Sequence, residues 1–273
     1  MFFQKGINAW CFPKETGAKD IFRQAKAYGY AGVELNLDEG DACLHLEMTE
    51  EELRLLAQKA REHGLELPSV STALLWKYPL THNDEAVREK GIRVVEKMIE
   101  AASIFGARTV LVVPGLVTAE VSYDKAYERA REALVRLAQT AAAKQVHIGI
   151  ENVWNKFLLS PLEMAGLIDE VNSPWVGAYF DVGNVLQFGF PEQWIRILGK
   201  RIRAIHVKDF KTSTGNITGF VPLLAGDIPW DRVVEALREV EYSGYVIPEI
   251  SPFAHKPKLL LAQCSQALDA IFQ

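Results

Sequence analysis

The feature that most limits what this chain can become is its rhythm. Short apolar runs alternate with longer amphipathic stretches, eight times in succession. The short runs are Gly6–Trp10, Ala31–Asn36, Leu65–Ser71, Arg108–Val113, the run that enters Glu151, Trp175–Asp181, Ile202–Asp209 and Tyr245–Ile250. Each is too short for a typical helix and nearly all apolar, as a parallel strand buried on both faces must be. The intervening stretches place apolar residues three and four apart, as Ile21, Phe22 and Ala25 show. They also carry helix signals. Thr49 with Glu52 reads as a capping box, Ser160-Pro161 as a cap and first helical residue, and Gly64 and Gly106 as stops. Strict alternation implies a parallel sheet. Eight units in 273 residues fit a closed (β/α)8 TIM barrel, usually about 250 residues long. An open doubly wound sheet would want a Gly-rich turn after its first strand, and none is present. No linker or low-complexity tract divides the chain, so one barrel over residues 1–273 is expected.

Composition narrows the function. With 49% hydrophobic and 24% charged residues the chain is globular rather than disordered. A net charge of -5 argues against a nucleic-acid partner, which needs a basic face. Cys11, Cys43 and Cys264 are scattered and odd in number, which suits reduced thiols in a cytoplasmic protein. The first residues lack the apolar core of a signal peptide, and no run approaches a membrane span.

A buried strand tolerates charge only where it emerges. Four successive runs end on a side chain able to hold a proton or a metal: Glu151, Asp181, His206 and Glu249. In a barrel these carboxyl ends converge on one mouth, where chemistry sits. Three carboxylates and an imidazole suit one divalent metal of intermediate hardness. Mn2+ fits best, with Mg2+, Co2+ or Zn2+ as alternatives. Without a cation the carboxylates would repel one another and hold protons more tightly. The plainer reading, four unrelated surface charges, must place all four in register by chance.

Gly149-Ile-Glu151-Asn152, Phe180-Asp181-Val-Gly-Asn184, Ile205-His206-Val-Lys208-Asp209 and Pro248-Glu249-Ile250 resemble the motifs of the sugar-phosphate isomerase/epimerase superfamily, with its xylose-isomerase-like barrel. The resemblance spans essentially the whole chain. It implies a metal held by Glu151, Asp181, His206 and Glu249, with the two glutamates also exchanging protons at C3 of a ketose through a cis-enediolate. Asn184 stands where many relatives acting on free ketoses carry His. In this the chain resembles the L-ribulose-5-phosphate and L-xylulose-5-phosphate 3-epimerases, and the implied partner is a small-molecule ketose or ketose phosphate. Pairing of barrels into a homo-oligomer is a further implication of the resemblance.

Other residues leave two readings each. Asn184 either orients substrate or caps the next helix. Lys208, two residues from His206 and so on its face of the strand, either reaches substrate or pairs with Asp209 or a neighbouring carboxylate. Trp10 either stacks on a sugar or plugs the barrel. Glu34 either fixes the tautomer of His206 or forms a rim ion pair. Trp76 and Trp154 either wall the pocket or only pack, and Lys211 belongs to a Gly-bearing loop that either meets a phosphate or is merely solvated. His45, His63, His82, His147 and His255 have no partners at ligand spacing. Rival activities are an aldose–ketose isomerase of the hydroxypyruvate-isomerase kind and an inosose dehydratase. A non-catalytic sugar-binding barrel and an endonuclease-IV-like repair enzyme stand further off. The last wants a His-rich cluster and a basic groove.

Overall fold

Eight parallel strands close on themselves in the computed structural model, which describes residues 3–272. They are β1 (Phe3–Asn8), β2 (Gly32–Asp38), β3 (Ser69–Thr72), β4 (Thr109–Val112), β5 (His147–Glu151), β6 (Val176–Asp181), β7 (Ile202–Val207) and β8 (Gly244–Pro248). Each pairs with its neighbours in sequence, and β1 pairs with both β8 and β2, so the ring has no open edge. This is the expected (β/α)8 barrel. The surrounding helices are α1 (Ala18–Ala27), α2 (Glu50–Glu62), α3 (Glu85–Phe105), α4 (Tyr123–Lys144), α5 (Pro161–Val171), α6 (Pro191–Leu198), α7 (Trp230–Glu239) and α8 (Lys258–Phe272).

The core lies between sheet and helices. Val33, Leu35, Val70, Val110, Ile148, Ile150, Phe180 and Ile205 are fully buried, and helices cover them with stripes such as Leu53, Leu56, Ala57 and Ala60 of α2. Each large aliphatic side chain so buried contributes roughly 1.5–3 kcal/mol. The capping boxes of α2 (Thr49 with Glu52) and α5 (Ser160 with Glu163) are both formed. Gly106 closes α3 in the left-handed conformation, φ 75°.

Three of the boundaries that differ from the sequence reading have a clear local reason. β1 stops at Asn8, because its side chain accepts the Trp10 N–H at 2.7 Å and opens a single 3-10 turn, Ala9–Cys11. β3 begins only at Ser69; Pro68 ahead of it has no N–H to give a ladder. β7 ends at Val207, and Asp209–Phe210 leaves the barrel to pair antiparallel with Phe220–Val221. Single-turn helices also appear where loops were expected, at Leu74–Lys77 and Val182–Val185. Among the described residues no helix is long and apolar enough to cross a membrane.

Candidate active site and metal centre

The four strand-end residues meet at the carboxyl mouth. Glu151, Asp181, His206 and Glu249 each offer a ligand atom, and these atoms all lie within 4.8 Å of one another. Asp181 and His206 are fully buried, Glu151 nearly so, and Glu249 just beyond β8 is partly open. Nδ1 of His206 faces Oε1 of Glu151 at 3.6 Å and Oε2 of Glu249 at 3.7 Å.

The other ring nitrogen of His206 is committed. Nε2 lies 2.6 Å from Oε1 of Glu34, which is completely buried. The same carboxylate accepts hydrogen bonds from Asn8 Nδ2 at 2.5 Å, Ser69 Oγ at 2.5 Å and Tyr179 OH at 2.6 Å. Burial alone would raise the Glu34 pKa, but the attraction of His206 and these donors outweigh it and hold it below the ordinary carboxyl range. Glu34 is thus an internal anion rather than part of a rim ion pair. It fixes the imidazole so that Nδ1 is presented to the quartet.

Asp181 is set by a second network. Asn152 accepts its N–H and donates to its carbonyl, both at 2.8 Å, tying the end of β5 to the end of β6. Oδ1 of Asp181 caps the next turn by accepting Asn184 N–H at 2.8 Å. The cap is therefore Asp181, not Asn184. The Asn184 side chain donates to Asn152 carbonyl at 2.9 Å, and its own carbonyl accepts from Trp154 Nε1 at 2.7 Å.

Lys208 completes the cluster. Its ammonium is 2.8 Å from Oδ2 of Asp181 and forms a close ion pair with Oε2 of Glu249. Asp209, one of the partners considered for it, points elsewhere. Asp209 is fully buried and accepts from the N–H groups of Phe210, Leu224 and Ile228 and from Trp230 Nε1. It pins the long loop after β7, and Gly226 makes this close approach possible. A Cβ at Gly226 would lie 2.2 Å from Asp209 Oδ1. Lys211 is an exposed member of that loop.

The protonation pattern follows from this crowding. Burial, with the charge of Glu249, pushes the Glu151 carboxyl up to about 7. Burial also raises Asp181. His206 is held well above its ordinary value, since Glu34 and Glu249 overcome the burial that would lower it. Lys208 is raised as well, because Asp181, Glu249 and Glu151 outweigh its desolvation. Nδ1 of His206 is enclosed and makes no hydrogen bond, and Oδ2 of Asp181 has only the Lys208 ammonium beside it. Such atoms are costly unless a partner compensates them. Aimed into a carboxylate-rich space, they are what a divalent cation would satisfy, so the residues fit a metal of this class.

The quartet opens into a cleft of about 670 Å³ lined by Trp10, Trp76, Trp154, Asn184, Lys208 and Phe220, among others. Trp10 is 36% exposed on that wall, which a barrel plug would not be. Trp154 packs on Phe210 and Phe220, so part of the wall is the loop that Asp209 holds. A larger groove, about 980 Å³, runs between the loops after β1 and β2, away from the carboxylates. Elsewhere, His147 packs at a tilt against Trp175 with ring centroids 4.9 Å apart, and burial lowers its pKa.

Sequence reasoning did not assign roles to Asn8, Ser69, Tyr179 and Asn152. Tyr179 was within reach of it. In a strand, residue i−2 shares the face of residue i, so the Tyr two before Asp181 must point inward. Asn152 was quoted in a motif, but its role depends on a strand neighbour that only the fold supplies.

Comparison with known proteins agrees with this geometry. Residues 22–266 match the xylose isomerase-like TIM barrel family, and the chain belongs to it. L-ribulose-5-phosphate 3-epimerase UlaE of Salmonella paratyphi A is 29% identical over 261 residues, covering 94% of this chain and 91% of that protein. D-psicose 3-epimerase of Clostridium cellulolyticum H10, solved with D-tagatose, superposes with a TM-score of 0.82 at 16% identity, covering 98% of each chain. A structure of L-ribulose 3-epimerase gives 0.80 at 16% identity, covering 98% of this chain and 94% of that one. These relatives are sugar epimerases, a class of isomerase, in agreement with the enzyme class expected from the motifs.

Proposed function

We propose that this chain is a divalent-metal-dependent 3-epimerase of ketoses, with a pentulose 5-phosphate of the L-ribulose or L-xylulose type as substrate. The observation that carries the reading is the quartet: two glutamates that both approach His206 Nδ1, at 3.6 and 3.7 Å, within a cluster that can hold one ion. Glu151, Asp181, His206 and Glu249 would hold it, and Mn2+ suits that mixed set best. When bound, the ion supplies Lewis acidity toward the negative charge that develops beside the carbonyl as C3 loses its proton.

The remaining work falls to the side chains. One glutamate takes the C3 proton and the other returns a proton to the opposite face; substrate handedness decides which acts first. In the metal-free chain burial pushes the Glu151 carboxyl up to about 7, and a bound ion would favour its charged, proton-accepting form. Lys208 and Asn184 face the cleft and are assigned to substrate oxygens, and Trp10 to the apolar face of the sugar. Asn184 can bond a hydroxyl but cannot carry a proton, so it orients rather than catalyses. We place the enzyme in the cytoplasm as one folded unit, where the free thiols Cys11, Cys43 and Cys264 stay reduced. Pairing into a homo-oligomer remains part of the proposal.

The test is proton NMR of pentulose 5-phosphates incubated with enzyme and Mn2+ in D2O. A 3-epimerase places deuterium at C3 and forms a second ketose. An aldehyde product would make it an aldose–ketose isomerase, and loss of water from an inosose incubated in a parallel sample would make it a dehydratase. Either result overturns the proposal.

A further inference from the structure

We infer that Lys208 is a built-in competitor for the metal: its ammonium and the ion draw on the same two carboxylate oxygens, so metal loading turns Lys208 out into the substrate cleft. The inference rests on reading the quartet as a metal centre and concerns a residue to which that reading gives no part in holding the ion.

The oxygens are identifiable. Asp181 has two, and Oδ1 is used by the Asn184 N–H. Oδ2, which accepts no N–H, is the freer of the two for a cation, and the Lys208 ammonium lies 2.8 Å from it. On Glu249 it is Oε2 that faces His206 Nδ1, and Oε2 is also the atom paired with Lys208. One ammonium therefore spans the oxygens of two of the four ligands. A dication shared by all four would place two positive centres within a few ångströms, a repulsion that is relieved only if one withdraws.

Lys208 has a direction in which to withdraw. It already lines the cleft beside Trp154 and Asn184, with its Nζ 5.3 Å from the centre of the Phe220 ring. An aromatic face tolerates a cation but is a weak partner for one. The root of the side chain is held. Gly183 packs so tightly on it that a Cβ there would lie 2.6 Å from Lys208 Cγ and 2.7 Å from its carbonyl oxygen. Motion is thereby confined to the end of the chain. Once the ion takes the carboxylates, the displaced ammonium needs an anion, and a sugar phosphate or sugar oxygen in the cleft provides it. Metal and substrate binding are then coupled positively through this one side chain, and linkage makes the coupling reciprocal.

The two possible roles of Lys208 differ in sign, which makes them separable. A lysine that merely positions Asp181 and Glu249 would leave a looser site when removed, and metal would bind more weakly. A competitor would leave the oxygens free, and metal would bind more tightly. Titration calorimetry with Mn2+ alone decides between them, with no turnover measured. Lys208→Gln is expected to bind Mn2+ about tenfold more tightly than the parent, within the usual range of site–site couplings. Lys208→Arg keeps the charge and should retain an affinity near that of the parent. Lys208→Met, which also removes the charge and should likewise tighten Mn2+ binding, is the second variant should the glutamine form fold poorly. Equal or weaker Mn2+ binding by Lys208→Gln overturns the inference while leaving the metal centre intact. No Mn2+ binding by parent or variant overturns both readings.

Discussion

Strands β1–β4 and β5–β8 end at one mouth, yet they bring different chemistry to it. The second half contributes the quartet and Lys208, groups that gain or lose charge when an ion or a proton arrives. The first half contributes mainly neutral hydrogen-bonding side chains, Asn8, Asn36, Ser69 and Ser71, around one internal carboxylate, Glu34. Tyr179 of β6 reaches across the barrel to join them. On our reading one half exchanges protons and holds the metal. The other fixes a single imidazole so that Nδ1 faces inward. Chemistry and its orientation are thus divided between two runs of sequence that meet only in the closed barrel.

The division can be broken by mutation, most severely on the second half. Glu151→Gln and Glu249→Gln should each lower kcat by about 100- to 10,000-fold, the usual worth of a positioned acid or base. Each should also slow exchange of the C3 proton, followed by NMR in D2O. If either retained parental exchange with metal saturating, the second half would not be the proton-handling half.

The first half is tested through Glu34. Glu34→Gln should weaken Mn2+ binding by about 10- to 100-fold, as loss of a carboxylate behind a ligating histidine does. It should also destabilise the metal-free protein by about 3–5 kcal/mol, because it leaves the His206 charge buried without its partner. Calorimetry and urea denaturation measure the two effects. With saturating Mn2+ much of the turnover should return, whereas Glu151→Gln should not recover. Equal failure of the two variants at saturating metal would erase the distinction.

pH probes the charge-bearing half directly. Glu151 keeps its proton up to about 7 in the folded chain against 4.5 ordinarily. The folded state therefore binds more protons than the unfolded state across that window, and this group makes the metal-free protein less stable as pH rises through it. His206, also raised, continues the trend above its ordinary value. Metal binding must expel these protons, so Mn2+ affinity, and the gain in Tm on adding Mn2+, should both grow as pH rises toward about 7. A gain in Tm that is flat or falls with pH would contradict this charge pattern. The smallest effect is expected at Asp209, outside the proton-handling set. Asp209→Asn should cost about 1–3 kcal/mol by leaving a backbone N–H without an acceptor. It should also speed limited proteolysis in the loop after β7, with little change in Mn2+ affinity.

The barrel could be read from the chain because its signals are local. Apolar runs, caps such as Thr49 and Ser160, and stops such as Gly106 act within a few residues, where chain geometry alone determines what forms. The quartet could be read for a related reason. In a closed parallel barrel any charge at a carboxyl strand end has only one place to go. What the sequence by itself could not decide was partnership across strands. Lys208 is next to Asp209 in sequence but pairs with Asp181 and Glu249, because β7 ends at Val207 and Asp209 is drawn into the loop. Glu34 and His206 are 172 residues apart and share a hydrogen bond only because β1 and β2 close the ring. Side-chain pairing depends on strand order and register, and these are set by the packing of the whole barrel rather than by any segment of it.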